Sequence, residues 1–508
     1  MRRKNKSNTV IIGQGDVTLD QIIEVAQNRA SVEVSDLPEF IARMEASRSV
    51  LTCAIKRGVS VYGVTTGYDA ACGNRIGTDE IEALGNNLVA YHGCGVDKPL
   101  GIEETRAAML CRLICLARGL SGVTVDLLRH LAQFLNAGIT PLVPSLGSVG
   151  ASGDLTPLSY IAACLSGKRD VLFGGEILPA AVALERIGMQ PYRFAPKEPL
   201  GLMNGTSVMT GIAVIAVQRS KKLLNAAIAA TALAVHALEG HVDHFHAVLV
   251  DAKPHFGQKR TGERLRAILA PAGIPQESIH HEHQQDPYSI RCAPQILGVV
   301  ADALEWIEAW VMAEVNSTND NPLFDARSGQ VLMGGNFYGG HIAAMKSALA
   351  MIADMLDRQI ALLVDTRFNR GLPANLVKVQ GAGHVVHHGF KGVQITASAL
   401  AAEAQKNTLP AASFSRSIEA HNQDKVSLGT ISAREALQQC YLVAWVVAVH
   451  LMVAAQACEI RGGIELRPGV NKIVGSIRQR VGDTVEDRPM GKDIDTLAQA
   501  LYEMVWDE

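Results

Sequence analysis

The residues whose types and order most clearly allow a chemical reaction are Ala151, Ser152 and Gly153. They lie in a loop rich in glycine and serine (SLGSVGASGDLTP). If the turn is tight, the amide nitrogen of Gly153 reaches the carbonyl carbon of Ala151, because glycine has no Cβ to prevent the approach. Loss of water from the resulting ring and from Ser152 then leaves a methylene group conjugated to a carbonyl. Such a group is an electrophile made from the chain itself. The alternative interpretation is a flexible loop that caps a helix.

This loop is one of a series of segments that occur in a characteristic order along the chain. Together they resemble the aromatic amino-acid ammonia-lyase family, which comprises histidine, phenylalanine and tyrosine ammonia-lyases and related aminomutases. The resemblance covers roughly residues 15–460. The segments are 62–67 (YGVTTG), 150–157 (GASGDLTP), 203–206 (MNGT), 285–291 (QDPYSIR), 316–322 (NSTNDNP), 335–339 (GNFYG) and 421–427 (HNQDKVS).

The resemblance implies that the prosthetic group is 4-methylideneimidazol-5-one, formed autocatalytically from Ala151, Ser152 and Gly153, with no external cofactor. Position 152 then supplies the electrophile that takes up the amino group of the substrate. Asn204 is expected to form a hydrogen bond to the ring carbonyl and to stabilise negative charge there. Asp154 is expected to aid cyclisation rather than turnover.

The implied reaction removes the α-amino group and a β-hydrogen from an aromatic amino acid, and it gives a trans-3-arylacrylate and ammonia. Because a benzylic β-hydrogen is not acidic, the site needs a base, and Tyr62 matches the family's catalytic tyrosine. To act as a phenolate, Tyr62 needs a pKa lowered by positive groups or hydrogen bonds. Tyr288 is expected to polarise the electrophile or assist proton movement. Arg291 is expected to bind the substrate carboxylate, since a planar guanidinium suits a two-point contact.

Two further residues are expected to contact the substrate. Gln285, Tyr288 and Arg291 are each three residues apart, so they share one face if the segment is helical. Phe337 is expected to pack beside the ring.

The choice of substrate depends on Tyr91 and His92, which align with the two family residues that face the aryl group. Both have polar tips, which suit a ring with a hydroxyl or a nitrogen, since an unpaired buried polar group costs about 1–3 kcal/mol. Histidine lyases carry a Glu where this chain has Gln423, so an imidazole would lack its carboxylate partner. We therefore expect L-tyrosine or a ring-substituted tyrosine as substrate, with p-coumarate as the product from tyrosine. The alternatives are a histidine ammonia-lyase that gives urocanate and a tyrosine 2,3-aminomutase; a non-catalytic assembly subunit is disfavoured.

Two segments depart from the family pattern. Tyr68-Asp69 stands where a small residue often follows the Gly-aromatic pair, and residues 381–390 (GAGHVVHHGF) contain His387-His388 where smaller polar residues are expected. Either change is expected to reshape the pocket.

Histidine clusters raise the question of a metal site. The sequence contains no HExxH and no four-ligand set with structural-zinc spacing, so we expect no functional metal. The glycine-rich runs match neither GxGxxG after a strand nor a P-loop, which argues against nucleotide binding. The clusters are His241/His244/His246, His280/His281/His283 and His384/His387/His388.

Charge and composition narrow the class of protein. The chain has 508 residues, with 47 Lys+Arg against 50 Asp+Glu and a formal charge of −3, so neither nucleic acid nor a membrane is expected as a partner. The nine cysteines form no CxxC and the basic start lacks a secretory apolar stretch, so we expect reduced thiols in a cytoplasmic protein. The longest apolar run, residues 442–457, is shorter than the ~18 residues typical of a membrane span.

The chain is 48% hydrophobic but only 5% aromatic, which favours closely packed helices over sheets. The pattern predicts a mainly α fold: a long helical bundle (residues 204–508) and a loop-rich N-terminal domain (residues 1–203) that carries Tyr62 and the Ala-Ser-Gly loop. The resemblance implies the fumarase/aspartase-like superfamily and a homotetramer whose active sites are each built from more than one subunit. Helical periodicity predicts long helices over 206–238, 295–315, 342–364 and 433–459, the last with Ser432 as its N-cap.

Overall fold

The computed structural model describes residues 8–270, 285–344, 348–461 and 467–506, and within these ranges the chain is mainly α-helical, which confirms the predicted fold class. The helices differ widely in length, from four residues to 33. In chain order they are α1 (Leu19–Ala26), α2 (Pro38–Lys56), α3 (Ile81–Tyr91), α4 (Ile102–Ala117), α5 (Val125–Asn136), α6 (Leu155–Leu165), α7 (Ala180–Arg186), α8 (Glu198–Met203), α9 (Ser207–Ala237), α10 (Ala247–Asp251), α11 (Phe256–Leu269), α12 (Tyr288–Arg291), α13 (Ala293–Val315), α14 (Gly340–Ala343), α15 (Ala348–Val364), α16 (Lys391–Lys406), α17 (Gly429–Arg461), α18 (Pro468–Arg478) and α19 (Gly491–Ala500).

The chain folds into two compact units. The first comprises Met1–Ala216, Glu308–Met345 and Pro410–Arg434, and the second comprises the remaining segments. The predicted division at residues 203 and 204 cuts the chain once, whereas these units are interleaved in sequence. The reason is that the long helices α9, α13 and α17 each supply residues to both units.

The described strands all belong to the first unit and are short. β1 and β2 pair in parallel, from Asn8 opposite Ala30 to Ile12 opposite Val34, while the other pairs are antiparallel, in the orders β3-β5, β4-β6-β7 and β8-β9. The strands are β1 (Asn8–Ile12), β2 (Ala30–Val34), β3 (Val96–Pro99), β4 (Thr140–Pro141), β5 (Pro144–Leu146), β6 (Asp170–Phe173), β7 (Glu176–Pro179), β8 (Leu323–Asp325) and β9 (Gln330–Leu332).

Helix α4 forms the centre of the first unit. It packs against α1 and α5, and every residue from Glu104 to Ala117 is buried. A helix that is buried on all sides must be apolar nearly all round, which explains its run of Ala, Leu, Met, Ile and Cys. The two arginines of this helix, Arg106 and Arg112, are therefore exceptional, and both are fully enclosed.

Arg106 joins α4 to the ends of its two neighbours. Its guanidinium donates hydrogen bonds to the carbonyls of Val25 (2.9 Å) and Ala26 (3.1 Å) at the end of α1, and of Leu135 (3.0 Å) near the end of α5. Carbonyls in the last turn of a helix lack partners within the helix and carry partial negative charge, so a cation is favourable there. Burial lowers the pKa of Arg106 to about 10, which still leaves it charged at neutral pH.

The predicted long helices agree with the structure to within a few residues, with one correction. Residues 206–238, 295–315 and 433–459 correspond to α9, α13 and α17, and residues 342–364 correspond to α14 and α15. The prediction that Ser432 is an N-cap is wrong. Helix α17 begins at Gly429, three residues before Ser432, and Ser427 Oγ accepts the N–H of Gly429. The Ser432 hydroxyl instead donates to the carbonyl of Ala343 at 2.9 Å.

Helix α17 is long and apolar enough to cross a membrane by length and composition, with a mean hydropathy of 1.8. However, 89% of its most apolar stretch is buried inside the protein. A core helix of a folded protein has the same properties, and the burial favours that interpretation.

We predict that Arg106→Met lowers the free energy of unfolding by about 3 kcal/mol or more, because each buried carbonyl left without a donor costs about 1–3 kcal/mol. Urea unfolding followed by circular dichroism measures this. Arg29→Met is the matched control, since Arg29 is exposed and pairs with Glu24 at the surface, where such pairs contribute little. Equal midpoints for the two variants would contradict the capping role.

Candidate active site

Tyr62 lies in a tight turn between α2 and α3. The N–H of Thr65 donates to the carbonyl of Val61 at 2.9 Å, and this hydrogen bond closes the turn. Gly63 adopts a left-handed φ of +65°, and a Cβ there would lie 2.6 Å from the ring of Tyr68. Glycine is therefore required beside Tyr62, whose side chain is half-buried.

The hydroxyl of Tyr62 forms two hydrogen bonds with Asp69. It donates to Asp69 Oδ1 at 3.1 Å and accepts the Asp69 backbone N–H at 3.1 Å. Burial raises the pKa of Tyr62 above its ordinary value of 10.0; the Asp69 N–H opposes this rise, and the Asp69 carboxylate adds to it. The sequence led us to expect a lowered pKa. The shift has the opposite direction because Tyr62 is desolvated and the charge beside it is negative.

The loop that contains Ala151, Ser152 and Gly153 pairs with a second backbone segment. Gly205 N–H donates to the carbonyl of Ser152 at 3.3 Å, and Asp154 N–H donates to the carbonyl of Gly205 at 2.7 Å. Gly153 has a left-handed φ of +71°, and a Cβ on it would overlap the Gly205 backbone. This approach of Gly153 to Gly205 requires glycine, and it is a different one from the approach of the Gly153 nitrogen to the Ala151 carbonyl carbon, which stays a prediction.

Asp154 anchors this loop to the start of α9. Its carboxylate is buried and accepts hydrogen bonds from Met209 N–H at 2.7 Å, from Ser148 Oγ at 3.1 Å and from Thr430 Oγ1. Burial raises the pKa of Asp154 to about 6, against the lowering effect of these donors. The Met209 N–H belongs to the first turn of α9, where unpaired N–H groups favour a carboxylate.

Buried polar side chains hold the backbone segment that contains Gly205. Arg112 donates to the carbonyl of Asn204 at 2.9 Å, and Asn319 Oδ1 accepts the N–H of Thr206 at 3.2 Å. Beside them Lys197 and Asp320 form a fully buried ion pair at 2.7 Å. Arg112 is a functional-site residue that the motifs do not reveal, although an arginine inside an otherwise apolar helical run is a visible signal.

Gln423 connects the loop to the Tyr62 turn. Its Nε2 donates to Ser152 Oγ at 3.2 Å and to Asp69 Oδ1 at 3.0 Å. An antiparallel bridge to Ile418 places it at the end of a short turn. The structure thus brings three predicted residues together in one hydrogen-bonded chain, Ser152–Gln423–Asp69–Tyr62, of which Asp69 had been noted only as a departure from the family pattern.

Helix α3 ends at Tyr91, and His92 is its C-cap; the centres of their rings lie 4.4 Å apart. His92 Nδ1 is 3.0 Å from the carbonyl of Leu88, which can only accept, so Nδ1 carries the hydrogen. Burial lowers the pKa of His92 and raises that of Tyr91 to about 12, so both rings are neutral at pH 7. His92 Nε2 is therefore a hydrogen-bond acceptor.

Two more predicted residues are Asn204, which precedes Gly205, and Phe337. Asn204 Oδ1 is buried and makes no hydrogen bond among the described residues, although the Asn204 backbone is held firmly. Phe337 is half-buried, two residues before Gly339, which lies against the side chain of Met209 at the start of α9.

Gln285, Tyr288 and Arg291 lie in the second unit, so the hydrogen-bonded chain of the first unit is built without them. The helix begins only at Tyr288, and therefore Tyr288 and Arg291 share a face while Gln285 precedes the helix. The Arg291 guanidinium stacks 4.8 Å from the centre of the Tyr288 ring. Arg291 Nε is buried and lacks a hydrogen-bond partner among the described residues, which leaves it available to a ligand.

Asp286 fixes the position of this short helix. Its carboxylate accepts the N–H of His241 at 2.7 Å and a hydrogen bond from Arg370 at 2.6 Å, and it lies 3.3 Å from His244 Nε2. Burial acts to raise the pKa of Asp286, but hydrogen bonds from His244 and His241 and the charge of Arg370 lower it to about 2. The carboxylate is therefore ionised at all moderate pH values.

Residues of two of the histidine clusters contact carboxylates of the protein. His244 pairs with Asp286, and Asp487 accepts the backbone N–H groups of His388 and Gly389, both at 2.8 Å. No group of three or more metal-binding side chains occurs among the residues that the structure describes. The cluster His280/His281/His283 lies outside those residues, and the expected lack of a functional metal stays a prediction.

Comparisons with known proteins agree on one family. The model of the family "Aromatic amino acid lyase" matches residues 17–479. The chain is 38% identical to a tyrosine ammonia-lyase from Cereibacter sphaeroides (96% of both chains covered) and 35% identical to a histidine ammonia-lyase from Gloeobacter violaceus (96% and 94%). It superposes on the crystal structure of a tyrosine aminomutase from Streptomyces globisporus with a TM-score of 0.90, at 33% identity and with 97% of both chains covered.

We predict that Gly153→Ala lowers the free energy of unfolding by more than about 1–2 kcal/mol, because a left-handed φ is unfavourable for alanine and the Cβ overlaps Gly205. Gly392→Ala is the matched control, since Gly392 has no atom within 4 Å of an added Cβ. Thermal and urea unfolding measure both variants. Equal stability of the two would show that the close approach of the backbones is not a constraint.

Proposed function

The chain belongs to the aromatic amino acid lyase family and is a carbon–nitrogen lyase, and on this basis we propose that it eliminates ammonia from L-tyrosine or a ring-substituted tyrosine. The products are ammonia and the trans-3-arylacrylate, which is p-coumarate for tyrosine. The observation that carries the proposal is the hydrogen-bonded chain Ser152–Gln423–Asp69–Tyr62 of the uncyclised loop, in which a phenol lies within a few hydrogen bonds of the residue proposed to become the electrophile.

We propose that Ala151, Ser152 and Gly153 form 4-methylideneimidazol-5-one. The surrounding residues fit this group, because Gly153 and Gly205 leave no room for a Cβ and Asn204 Oδ1 is a buried polar atom without a partner. When formed, the group supplies an electrophilic methylene carbon at position 152. The rest of the loop stays anchored through its hydrogen bonds to Gly205.

Tyr62 is the proposed acceptor of the β-proton. A phenolate is needed for this, so the raised pKa of Tyr62 must fall when substrate binds, and a positive charge near the hydroxyl would lower it. Arg291 is proposed to bind the substrate carboxylate through its unpaired Nε, and Tyr288, which stacks on that guanidinium, is proposed to assist proton movement. Gln285 and Phe337 are proposed substrate contacts. We also propose a cytoplasmic homotetramer with sites shared between subunits, which rests on the resemblance and on the free thiols.

The preference for tyrosine rests on His92 and Gln423. His92 Nε2 accepts a hydrogen bond, which suits a para-hydroxyl donor, and Gln423 provides a neutral amide rather than a carboxylate. Tyr91 adds a second polar tip, since its ring lies 4.4 Å from that of His92.

Two other reactions are candidates because specific relatives carry them. The histidine ammonia-lyase at 35% identity supports histidine as substrate, and the structural similarity to a tyrosine aminomutase supports return of the amino group to the β-carbon. Incubation with L-tyrosine, L-histidine and L-phenylalanine, followed by the separate absorbances of the acrylates, distinguishes the substrates. Chromatography for a β-amino acid distinguishes lyase from aminomutase, and a β-amino acid in excess of acrylate would overturn the lyase proposal.

We predict that Ser152→Ala lowers activity by several orders of magnitude, because the hydroxyl whose loss creates the methylene is absent. The native fold persists, and the ultraviolet band of the prosthetic ring disappears. Ser145→Ala, on the same segment, is the matched control and keeps both the band and the activity. Near-normal turnover by Ser152→Ala would disprove the covalent electrophile.

We predict that His92→Phe shifts the ratio of kcat/KM for L-tyrosine over L-phenylalanine by about 2–4 kcal/mol in favour of phenylalanine. The substitution removes the acceptor for the para-hydroxyl and supplies an apolar wall. His255→Phe, at an exposed histidine of the second unit, serves as the control. An unchanged ratio would mean that Tyr91 and His92 do not contact the aryl group.

A further inference from the structure

Asp69 is held in a left-handed backbone conformation, which few residues other than glycine, asparagine and aspartate adopt. Its φ is +44°, in the left-handed region, where a residue with a Cβ pays about 1–2 kcal/mol relative to its usual conformations. Strain of this kind persists where the surrounding structure or a function retains it. We therefore expect the contacts of the Asp69 side chain to account for the strained backbone.

The carboxylate of Asp69 is surrounded by neutral donors. Tyr62 donates through its hydroxyl at 3.1 Å and Gln423 through its amide at 3.0 Å. No lysine, arginine or histidine forms an ion pair with Asp69 in the part of the chain that the structure describes. A half-buried carboxylate with only neutral partners attracts a cation, since its charge is not compensated locally.

The position of this carboxylate along the hydrogen-bonded chain indicates which cation. Asp69 lies between Tyr62, the proposed acceptor of the β-proton, and Gln423, whose amide also contacts Ser152. In an α-amino acid the amino nitrogen lies two bonds from the β-carbon, and it is the group that the proposed electrophile at position 152 takes up, so it must lie between the base and the loop. An ammonium donates three hydrogen bonds and carries the missing positive charge.

We propose that Asp69 is a substrate-positioning residue that receives the α-ammonium group of the amino acid. The inference rests on the proposed function and extends it, because it assigns the contact for the amino group to the Tyr62 turn of this chain. The hydrogen bonds from Tyr62 and Gln423 orient the carboxylate before substrate arrives.

The contact has a consequence for the base. The Asp69 carboxylate contributes to the raised pKa of Tyr62, and an ammonium bound to that carboxylate offsets its charge. The substrate thus favours ionisation of the base that acts on it. Other titratable groups lie near the same carboxylate or its neighbours, and each also contributes to the pH dependence of the activity. They are Tyr62, Tyr91 and His92 around Asp69, with Glu419 facing Tyr91 and Arg169 facing His92.

The first experiment measures binding without turnover. In a Ser152→Ala background, calorimetry compares L-tyrosine with 3-(4-hydroxyphenyl)propanoate, which lacks the amino group. Adding Asp69→Asn keeps the acceptor oxygen for Tyr62 and Gln423 but removes the charge. We expect the affinity for L-tyrosine to fall about tenfold or more while that for the propanoate is unchanged or higher. Asp79→Asn, an exposed carboxylate of the same segment, is the matched control and leaves both affinities unchanged.

The outcomes separate the inference from the function on which it rests. Equal effects of Asp69→Asn on both ligands, or no effect on L-tyrosine, would overturn the role of Asp69 alone. Failure of Ser152→Ala to bind L-tyrosine, together with no acrylate from the wild type, would overturn the proposed function and this inference with it.

The second experiment is the pH profile of kcat/KM, which reports ionisations of the free enzyme. Removal of the negative charge lowers the pKa of Tyr62, so the rising limb of the profile moves to lower pH in Asp69→Asn. Asp69→Gly also removes the charge, and glycine adopts the observed φ without strain, so this variant folds if asparagine is poorly tolerated. A shifted limb shows that the charge of Asp69 acts on Tyr62, and an unshifted limb in both variants would overturn that link; the comparison of the two ligands in the first experiment tests the contact with the ammonium group.

Discussion

Two backbone segments approach each other more closely than side chains would allow, and the candidate site depends on that approach. Gly153 and Gly205 pair without a Cβ between them, and the flanking hydrogen bonds, Gly205 to Ser152 and Asp154 to Gly205, hold the loop in a fixed turn. Backbone hydrogen bonds in a buried setting leave little freedom, because an unpaired N–H or carbonyl there is costly. The same constraint therefore fixes the position of Ser152, the proposed precursor of the electrophile.

Buried charges support this arrangement from both sides. Asp154 connects the loop to the first turn of α9, and Arg112 donates a hydrogen bond to the carbonyl of Asn204 in the segment that pairs with the loop. The ion pair of Lys197 and Asp320 lies beside Arg112. Buried ion pairs contribute little net stability compared with apolar packing, but they tolerate few alternative geometries. We infer that these buried charges serve the position of the loop more than the stability of the fold.

The charge near Tyr62 has the sign that is least favourable for a phenolate. A site that is ready to take a proton would hold its base ionised, whereas here burial and Asp69 keep the hydroxyl protonated. An amino acid brings a positive ammonium into such a site, so the chemistry of the substrate complements the charge of the protein. In the proposed role, Tyr62 ionises only beside its substrate, and its half-buried position limits its contact with water.

The sequence by itself determined the family, the enzyme class and the mainly helical fold, and it identified Ser152, Tyr62 and Gln423 before their contacts were known. The motifs and the helical fold can be inferred from the order of residues in short segments, since a tight turn needs glycine and a buried helix needs apolar residues on nearly all sides. Only the tertiary structure decided that Gln423 joins Asp69 across 354 residues, that α17 begins before Ser432, and that the pKa of Tyr62 is raised. Desolvation and the sign of the nearest charge depend on which distant segments meet, and no spacing along the chain encodes either.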